Sequence, residues 1–128
     1  MVVQVLQGVK IQINIEFRDD CSDIERHHYF FDYHITIENQ NNFKIQLLER
    51  SWDIFDSLGA FRHVEGKGVV GEQPLIKAGG SYAYTSSCNL VSDFGAMKGS
   101  YTFINPVTNT KFTVPLPVFE LWVPWRKS

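Results

Sequence analysis

The feature that most constrains this chain is a strict alternation of apolar and polar residues near its start. From Val9 to Arg18 every second side chain is apolar, and the side chains between them are polar. A second run of this kind extends from Tyr29 to Asn39. Successive side chains of a strand point to opposite faces, so each run predicts a β-strand with one buried face and one solvated face.

Further strands follow, separated by clusters of glycine, asparagine and proline that favour turns. They are predicted at residues 43–55, 60–65, 81–88, 97–105 and 111–121, with a solvated loop at 19–27. A bulge is expected near Glu49-Arg50, because the adjacent Leu47 and Leu48 place apolar side chains on both faces of that strand. Pro115 and Pro117 remove N–H donors from one side of the last strand, which predicts a sheet edge there.

About seven or more strands with no helix-period segment predict an all-β protein, an immunoglobulin- or fibronectin type III-like antiparallel β-sandwich. A closed barrel is the alternative, and the proline-blocked edge favours the open sandwich. A chain of 128 residues is long enough to bury a core of its own. We therefore expect a single domain spanning residues 1–128.

Charge and composition exclude several classes of protein. With a net charge of −2, the chain has no excess of the basic residues that nucleic-acid-binding proteins use to contact phosphates. No apolar run reaches membrane-spanning length, and the first ten residues do not resemble a signal peptide. Cys21 and Cys88 are therefore predicted to be free thiols in a cytoplasmic protein that binds neither nucleic acid nor membrane.

Residues 66–74 form the glycine-dense segment of the chain, with the spacing G-x-G-x-x-G. Glycine permits positive φ and close backbone approach, so such a loop can point amides at the phosphates of a nucleotide or pyrophosphate. The candidate ligand-binding residues are Gly66, Lys67, Gly68 and Gly71. In dinucleotide folds a helix follows this motif, and here Pro74 breaks the segment. A tight loop between strands is the alternative.

One face of the second strand carries possible metal ligands. His28, Asp32 and His34 share the same parity, so their side chains project from the same side of the sheet. The alternative is a polar, solvated strand face, since the chain has no zinc-type ligand spacing. We expect no resident cofactor.

Candidate catalytic groups are few. Ser86, Ser87 and Cys88 are nucleophile types, and His63 is a potential base. The G-x-S-x-G elbow of serine hydrolases is missing, and adjacent serines at a strand end commonly bond to local backbone groups. The sequence therefore predicts a protein without catalytic residues.

The apolar C-terminal segment, residues 121–125, contains two tryptophans. It is expected either to fold back over the sandwich or to cover a partner, because exposed apolar clusters mark interfaces. Trp122 and Trp125 are the candidate interface residues. The partner would be another protein or a second copy of this chain.

Several segments in the same order carry a family resemblance. They are GKGVVGEQP (66–74), YAYTSS (82–87), GAMKGSY (95–101) and PLPVFELWVP (115–124), with QLLERSW (46–52) upstream. Together they resemble the ApaG family over nearly the whole chain. One departure is Ala78-Gly79-Gly80, where the family often has Pro-Gly before the tyrosine-rich strand.

The resemblance implies a fibronectin type III-like sandwich, and in bacteria a small, stand-alone cytosolic protein. The family is named for a gene neighbourhood shared with a dinucleoside polyphosphate hydrolase, and some members carry a label linking them to cobalt resistance and magnesium efflux. Similar eukaryotic domains occur in an F-box protein and a polymerase-interacting protein, where they are associated with protein recognition. We therefore expect a non-enzymatic binding module for protein–protein interaction. The alternatives are nucleotide or polyphosphate binding at the glycine loop and a role in cobalt or magnesium homeostasis.

Overall fold

Two antiparallel β-sheets pack face to face around a shared hydrophobic core. The structure, a computed structural model, describes residues 1–59 and 61–127, with the backbone alone for 126 and 127. The strands of this described part are β1 (Val2–Leu6), β2 (Val9–Phe17), β3 (Tyr29–Asn39), β4 (Ile45–Asp56), β5 (Arg62–Lys67), β6 (Leu75–Ile76), β7 (Ser81–Leu90), β8 (Phe94–Asn105), β9 (Thr110–Pro115) and β10 (Phe119–Trp122). Two 3-10 turns, Asp19–Cys21 and Ile24–Arg26, follow β2, and a four-residue helix, α1 (Pro124–Lys127), follows β10.

Sheet I has the strand order β1-β2-β3-β7, and sheet II has the order β10-β8-β4-β5. In sheet II, β9 also pairs with β8 and β6 also pairs with β4. Neighbouring strands are antiparallel throughout these pairings. The predicted all-β antiparallel sandwich of seven or more strands is therefore confirmed.

The core consists of the inward-facing residues that the alternation predicted. On β2, Val9, Ile11 and Ile13 are fully buried, and on β3 the odd-numbered residues are buried in the same way. Sheet II contributes Leu47, Trp52, Tyr101, Phe103 and Phe119 to the same cluster. Burial of this apolar surface holds the two sheets together, since each buried methylene is worth about 0.8 kcal/mol.

A bulge in β4 changes which of its side chains face the core. Leu47 pairs with Phe103 and Glu49 pairs with Thr102, so Leu48 is the extra residue, one position before the predicted place. Odd-numbered residues face inward before the bulge and even-numbered residues face inward after it. Arg50 consequently shares the inward face with Trp52 and Ile54.

The C-terminal strand predicted at residues 111–121 is two strands, because the pairing with β8 is interrupted between Pro115 and Phe119. The amide of Leu116 donates to the carbonyl of Gly99 (2.7 Å), so the nitrogens of Pro115 and Pro117 face away from β8. This confirms the predicted sheet edge. The side-chain amides of Gln4 and Gln7 cover that edge by donating to the carbonyls of Pro115 (2.5 Å) and Thr113 (2.7 Å).

Two strands were not predicted from the sequence. β1 pairs with β2 through a tight hairpin at Gln7-Gly8, where both residues have positive φ (50° and 73°). β6 is a two-residue pairing with β4 that follows the glycine loop. The strand predicted at 60–65 runs from Arg62 to Lys67, and its predicted first residue, Ala60, lies outside the described residues.

Candidate functional site

The glycine loop is a tight turn whose amides bond within the protein. The amide of Val69 donates to the carbonyl of Glu72 (2.8 Å), and the amide of Glu72 donates back to Val69 (2.9 Å). Between them Val70 and Gly71 both have positive φ (45° and 81°). The amide of Gly68 donates to the carbonyl of Leu48 (2.8 Å). An anion at this loop would therefore meet the amides of Val70 and Gly71.

Arg50, which the bulge turns inward, contacts the backbone of the loop. Its Nη1 donates to the carbonyls of Lys67 (3.2 Å) and Gly68 (2.9 Å), so this arginine stabilises the loop. Lys67 itself is exposed beside Gly66. The hypothesis that the loop binds a nucleotide or pyrophosphate stays a prediction, which would rest on Lys67 and the two amides at the tip.

Tyrosines of the tyrosine-rich strand β7 connect this loop to the core. The hydroxyl of Tyr82 donates to Glu72 Oε2 (3.0 Å), next to the turn. The hydroxyls of Tyr84 and Tyr101 bond to each other between the sheets, where burial raises the pKa of both phenols. The tyrosines of the YAYTSS segment thus have structural partners.

Two of the three side chains proposed as metal ligands, Asp32 and His34, have hydrogen-bond partners within the protein. Asp32 accepts hydrogen bonds from Arg18 Nη1 (2.7 Å) and Ser87 Oγ (2.7 Å), and these two bonds lower the pKa of its carboxyl group. The ring nitrogens of His34 contact Thr85 Oγ1 (2.8 Å) and Glu16 Oε2 (3.2 Å). His28 is exposed and lies directly before β3.

Asp32 and His34 lie on the polar outer face of sheet I, as the parity predicted. Across residues 1–59 and 61–127, no group of three or more histidine, cysteine, aspartate and glutamate side chains is arranged to hold a metal ion. The structure therefore does not bring His28, Asp32 and His34 together as a ligand set. The proposed metal site gains no support from this geometry.

The nucleophile types found in the sequence are also engaged. Ser87 donates to Asp32, and burial raises the pKa of the Cys88 thiol. The imidazole of His63 lies between Asp53 Oδ1 (2.7 Å) and Glu65 Oε1 (2.8 Å), whose hydrogen bonds raise its pKa. A histidine held between two carboxylates favours the protonated form and is a poor general base.

A row of aromatic side chains crosses the outer face of sheet II. We call Phe61, Phe55, Phe94 and Trp122 the aromatic row. Neighbouring ring centroids in this order are 6.4, 6.2 and 4.3 Å apart. Phe61 is 64% exposed and Phe55 is 40% exposed. The row therefore extends from Phe61, directly before β5, across β4 and β8 to β10 as one surface.

This row was largely missed from the sequence. Trp122 was a candidate interface residue, but the other three rings of the row come from distant parts of the chain. Phe55 lies at an outward position only because the bulge reverses the parity of β4. Val118, which is 61% exposed, lies beside Phe55 and Phe61 and lines with them a shallow hollow of about 130 Å³.

The C-terminal segment folds back on the sandwich. Leu121 and Val123 are fully buried, and the indole N–H of Trp122 donates to Glu120 Oε2 (2.6 Å) on the outer face of sheet II. The ring of Trp125 packs edge-on against Phe17 at 5.5 Å and remains 52% exposed. The structure thus separates the two candidate interface tryptophans: Trp122 belongs to the aromatic row, and Trp125 lies against sheet I.

Among the described residues, no helix has the length and apolar character needed to cross a membrane.

Comparison with known proteins identifies close relatives. The model of the ApaG domain family matches residues 19–105. A protein named ApaG from Mesorhizobium japonicum is 40% identical over 120 residues, covering 94% of this chain and 92% of the relative. ApaG from Proteus mirabilis is 42% identical over 116 residues, covering 91% and 92% of the two chains. The crystal structure of a Bordetella pertussis protein named ApaA superposes with a TM-score of 0.86 at 32% identity, covering 91% of this chain and 94% of that one.

Proposed function

The chain belongs to the ApaG family, and from this premise we propose that it is a non-enzymatic protein-binding module whose contact surface is the aromatic row. The observation that carries the proposal is the contiguous set of partly exposed rings from Phe61 to Trp122. Aromatic side chains are enriched in protein interfaces, where they supply large buried area at a small cost in conformational entropy.

The contrast between the two outer faces supports this assignment. Along β2 the outer face of sheet I carries polar and charged side chains, Lys10, Gln12, Asn14 and Glu16, and on β1 it exposes only the small apolar side chains of Val3 and Val5. A solvated sheet face normally has this composition. The outer face of sheet II instead presents the rings of the aromatic row to solvent, and exposed apolar patches of this kind mark interaction sites.

The non-enzymatic part of the proposal is supported by the engaged state of the candidate catalytic groups. Asp53 and Glu65 hold His63, Ser87 is bonded to Asp32, and Cys88 is buried. We further propose a cytoplasmic location, supported by the two free cysteines, Cys21 and Cys88. Unpaired thiols are typical of reducing compartments.

The proposal is tested by photo-crosslinking at the aromatic row. A benzoylphenylalanine replaces Phe61 in the full-length chain expressed in bacterial cells, and irradiation follows. Because Phe61 is the most exposed ring of the row, we expect a discrete adduct of higher mass. An adduct with the mass of two chains would identify a second copy as the partner.

The matched control places the same residue at Val107, which is 76% exposed in the hairpin between β8 and β9. Combining the crosslinker at Phe61 with Phe55→Ser should abolish the adduct while leaving the thermal midpoint within a few degrees of the parent. Equal adducts at both positions, or none at Phe61, would contradict a role for the aromatic row.

A further inference from the structure

A groove lies between one edge of each sheet, away from the glycine loop. β1 pairs with β2 only as far as Ile13, so the outer edge of β2 has no strand partner along residues 14–17 in the described chain. β10 forms the facing edge of sheet II. The space between them is about 700 Å³ and is lined by residues of β1, β2 and β10, together with Met1 and Val118. A smaller hollow of about 210 Å³ continues it past Phe17 toward Pro124.

The hydrogen-bond pattern shows which main-chain groups face this groove. In an antiparallel strand the amide and carbonyl of one residue point to the same side, and successive residues alternate. The amide of Arg18 donates to the carbonyl of Phe30 on β3 (2.8 Å), so even-numbered residues of β2 face β3. The amides and carbonyls of Ile15 and Phe17 therefore point into the groove.

The facing strand presents main-chain groups in the same way. The amide of Val123 donates to the carbonyl of Asp93 (3.1 Å), so odd-numbered residues of β10 face β8. The amide and carbonyl of Glu120 consequently point away from β8 and toward the groove. Both rims of the groove thus expose the hydrogen-bonding groups that an extended peptide main chain satisfies.

We propose that this groove binds an extended, basic-apolar peptide segment of a partner protein, which adds to β2 as an extra strand alongside Ile15 and Phe17. Strand addition of this kind derives affinity from main-chain hydrogen bonds and specificity from alternate side chains. The groove shares Trp122 with the aromatic row but none of the other three rings, and the proposal does not depend on that row being an interface.

The side chains of the groove define the chemistry of the peptide. Ile15 and Phe17 are half-buried and lie on the inward face of β2, where they would contact every second side chain of an added strand. The ring of Phe17 also packs edge-on against Trp125 (5.5 Å), so Trp125 borders that end of the groove. The outward positions carry negative charge, since the carboxylates of Glu16 and Glu120 are both exposed. Opposite charges directly across two strands stabilise the pair, so lysine or arginine is favoured opposite Glu16.

The test uses the full-length protein and an acetylated, fluorescein-labelled peptide of alternating valine and lysine. Anisotropy measures binding, and amide hydrogen exchange by NMR locates it. In the free protein the amides of Ile15 and Phe17 should exchange quickly, while those of Asn14 and Glu16, paired with β3, exchange slowly. Saturating peptide should slow exchange of Ile15 and Phe17, because they become strand donors.

Matched controls separate strand addition from other binding. A peptide whose main-chain nitrogens are methylated at the alternate positions that face β2 should no longer bind, because its N–H donors to β2 are removed. Glu16→Lys should weaken binding several-fold through charge repulsion, whereas Glu38→Lys, on the same outer face but opposite Lys10 and Ser81, should leave it unchanged. Phe55→Ser should also leave it unchanged, so failure here is distinct from failure of the aromatic row.

The proposal is overturned if the peptide does not bind at millimolar concentration. It is also overturned if binding leaves the exchange of Ile15 and Phe17 unaltered. Protection of these amides that rises with protein concentration in the absence of peptide would assign the groove to a second copy of the chain instead.

Discussion

Gly68 is the residue on which the geometry of the glycine loop depends most. Its φ is +61°, and a Cβ atom added there would lie 1.9 Å from the carbonyl oxygen of Glu72. That carbonyl cannot easily move, because it accepts the amide of Val69 across the turn. Close packing of backbone on backbone therefore accounts for this glycine of the G-x-G-x-x-G spacing without any ligand.

Gly68→Ala should destabilise the protein more than Gly71→Ala. Both residues have positive φ, so each substitution carries the left-handed penalty of about 1–2 kcal/mol. A Cβ at Gly71 meets no atom within 4 Å, whereas a Cβ at Gly68 collides with Glu72. Urea unfolding of the two variants measures the difference, and equal free energies of unfolding would show that the collision is relieved.

β10 is the element that converts the apolar C-terminal segment into part of the core. It pairs with β8 from Phe119 to Trp122, and its alternation places Phe119 and Leu121 inside. The interruption between β9 and β10 permits this, since Leu116 keeps its bond to Gly99 while the chain bends past Pro117. Fold-back of the segment is thus a consequence of strand pairing.

Leu121→Ala should lower the free energy of unfolding by about 2–5 kcal/mol, the usual cost of removing a fully buried leucine side chain. Val118→Ala, three residues earlier but 61% exposed, should change it by less than about 0.5 kcal/mol. Chemical denaturation monitored by tryptophan fluorescence measures both. A small effect at Leu121 would mean that β10 detaches without disturbing the core.

At the level of elements, the alternation of apolar and polar residues predicted those strands that have one buried face and one solvated face. The alternation in β2 and β3 identified both strands, because every second residue is buried in one continuous sheet face. β1 escaped prediction, since its pattern of half-exposed residues is weak and its position depends on the Gln7-Gly8 hairpin. The bulge at Leu48 was predicted one position away, from the two adjacent leucines.

At the scale of the whole molecule, the two free cysteines differ in access to solvent, so their reactivity distinguishes the folded from the unfolded protein. Cys21 is exposed in a 3-10 turn, whereas Cys88 on β7 is 5% exposed among core residues. Burial raises the pKa of the Cys88 thiol, so its reactive thiolate is scarce in the folded state. Access to Cys88 therefore requires the sheets to separate.

A thiol reagent should label Cys21 rapidly in native buffer and label Cys88 only in molecules that have unfolded. In a Cys21→Ser variant, the labelling rate of Cys88 should follow the free energy of unfolding as urea increases. The reagent 5,5′-dithiobis(2-nitrobenzoate) gives an absorbance readout for the parent and for the variant. Rapid labelling of Cys88 in native buffer would indicate local opening of β7.

The sequence by itself determined the fold class, the family, the polar outer face of β3 and the proline-blocked edge, because each depends on local periodicity or on the chemistry of one residue type. Only the tertiary structure decided that Arg50 donates hydrogen bonds to carbonyls of the glycine loop, and that rings from three strands and from Phe61, directly before β5, form the aromatic row. It also decided that a groove separates β2 from β10. These features join residues far apart in the chain, and their positions follow from strand order and from one bulge that reverses the facing of β4.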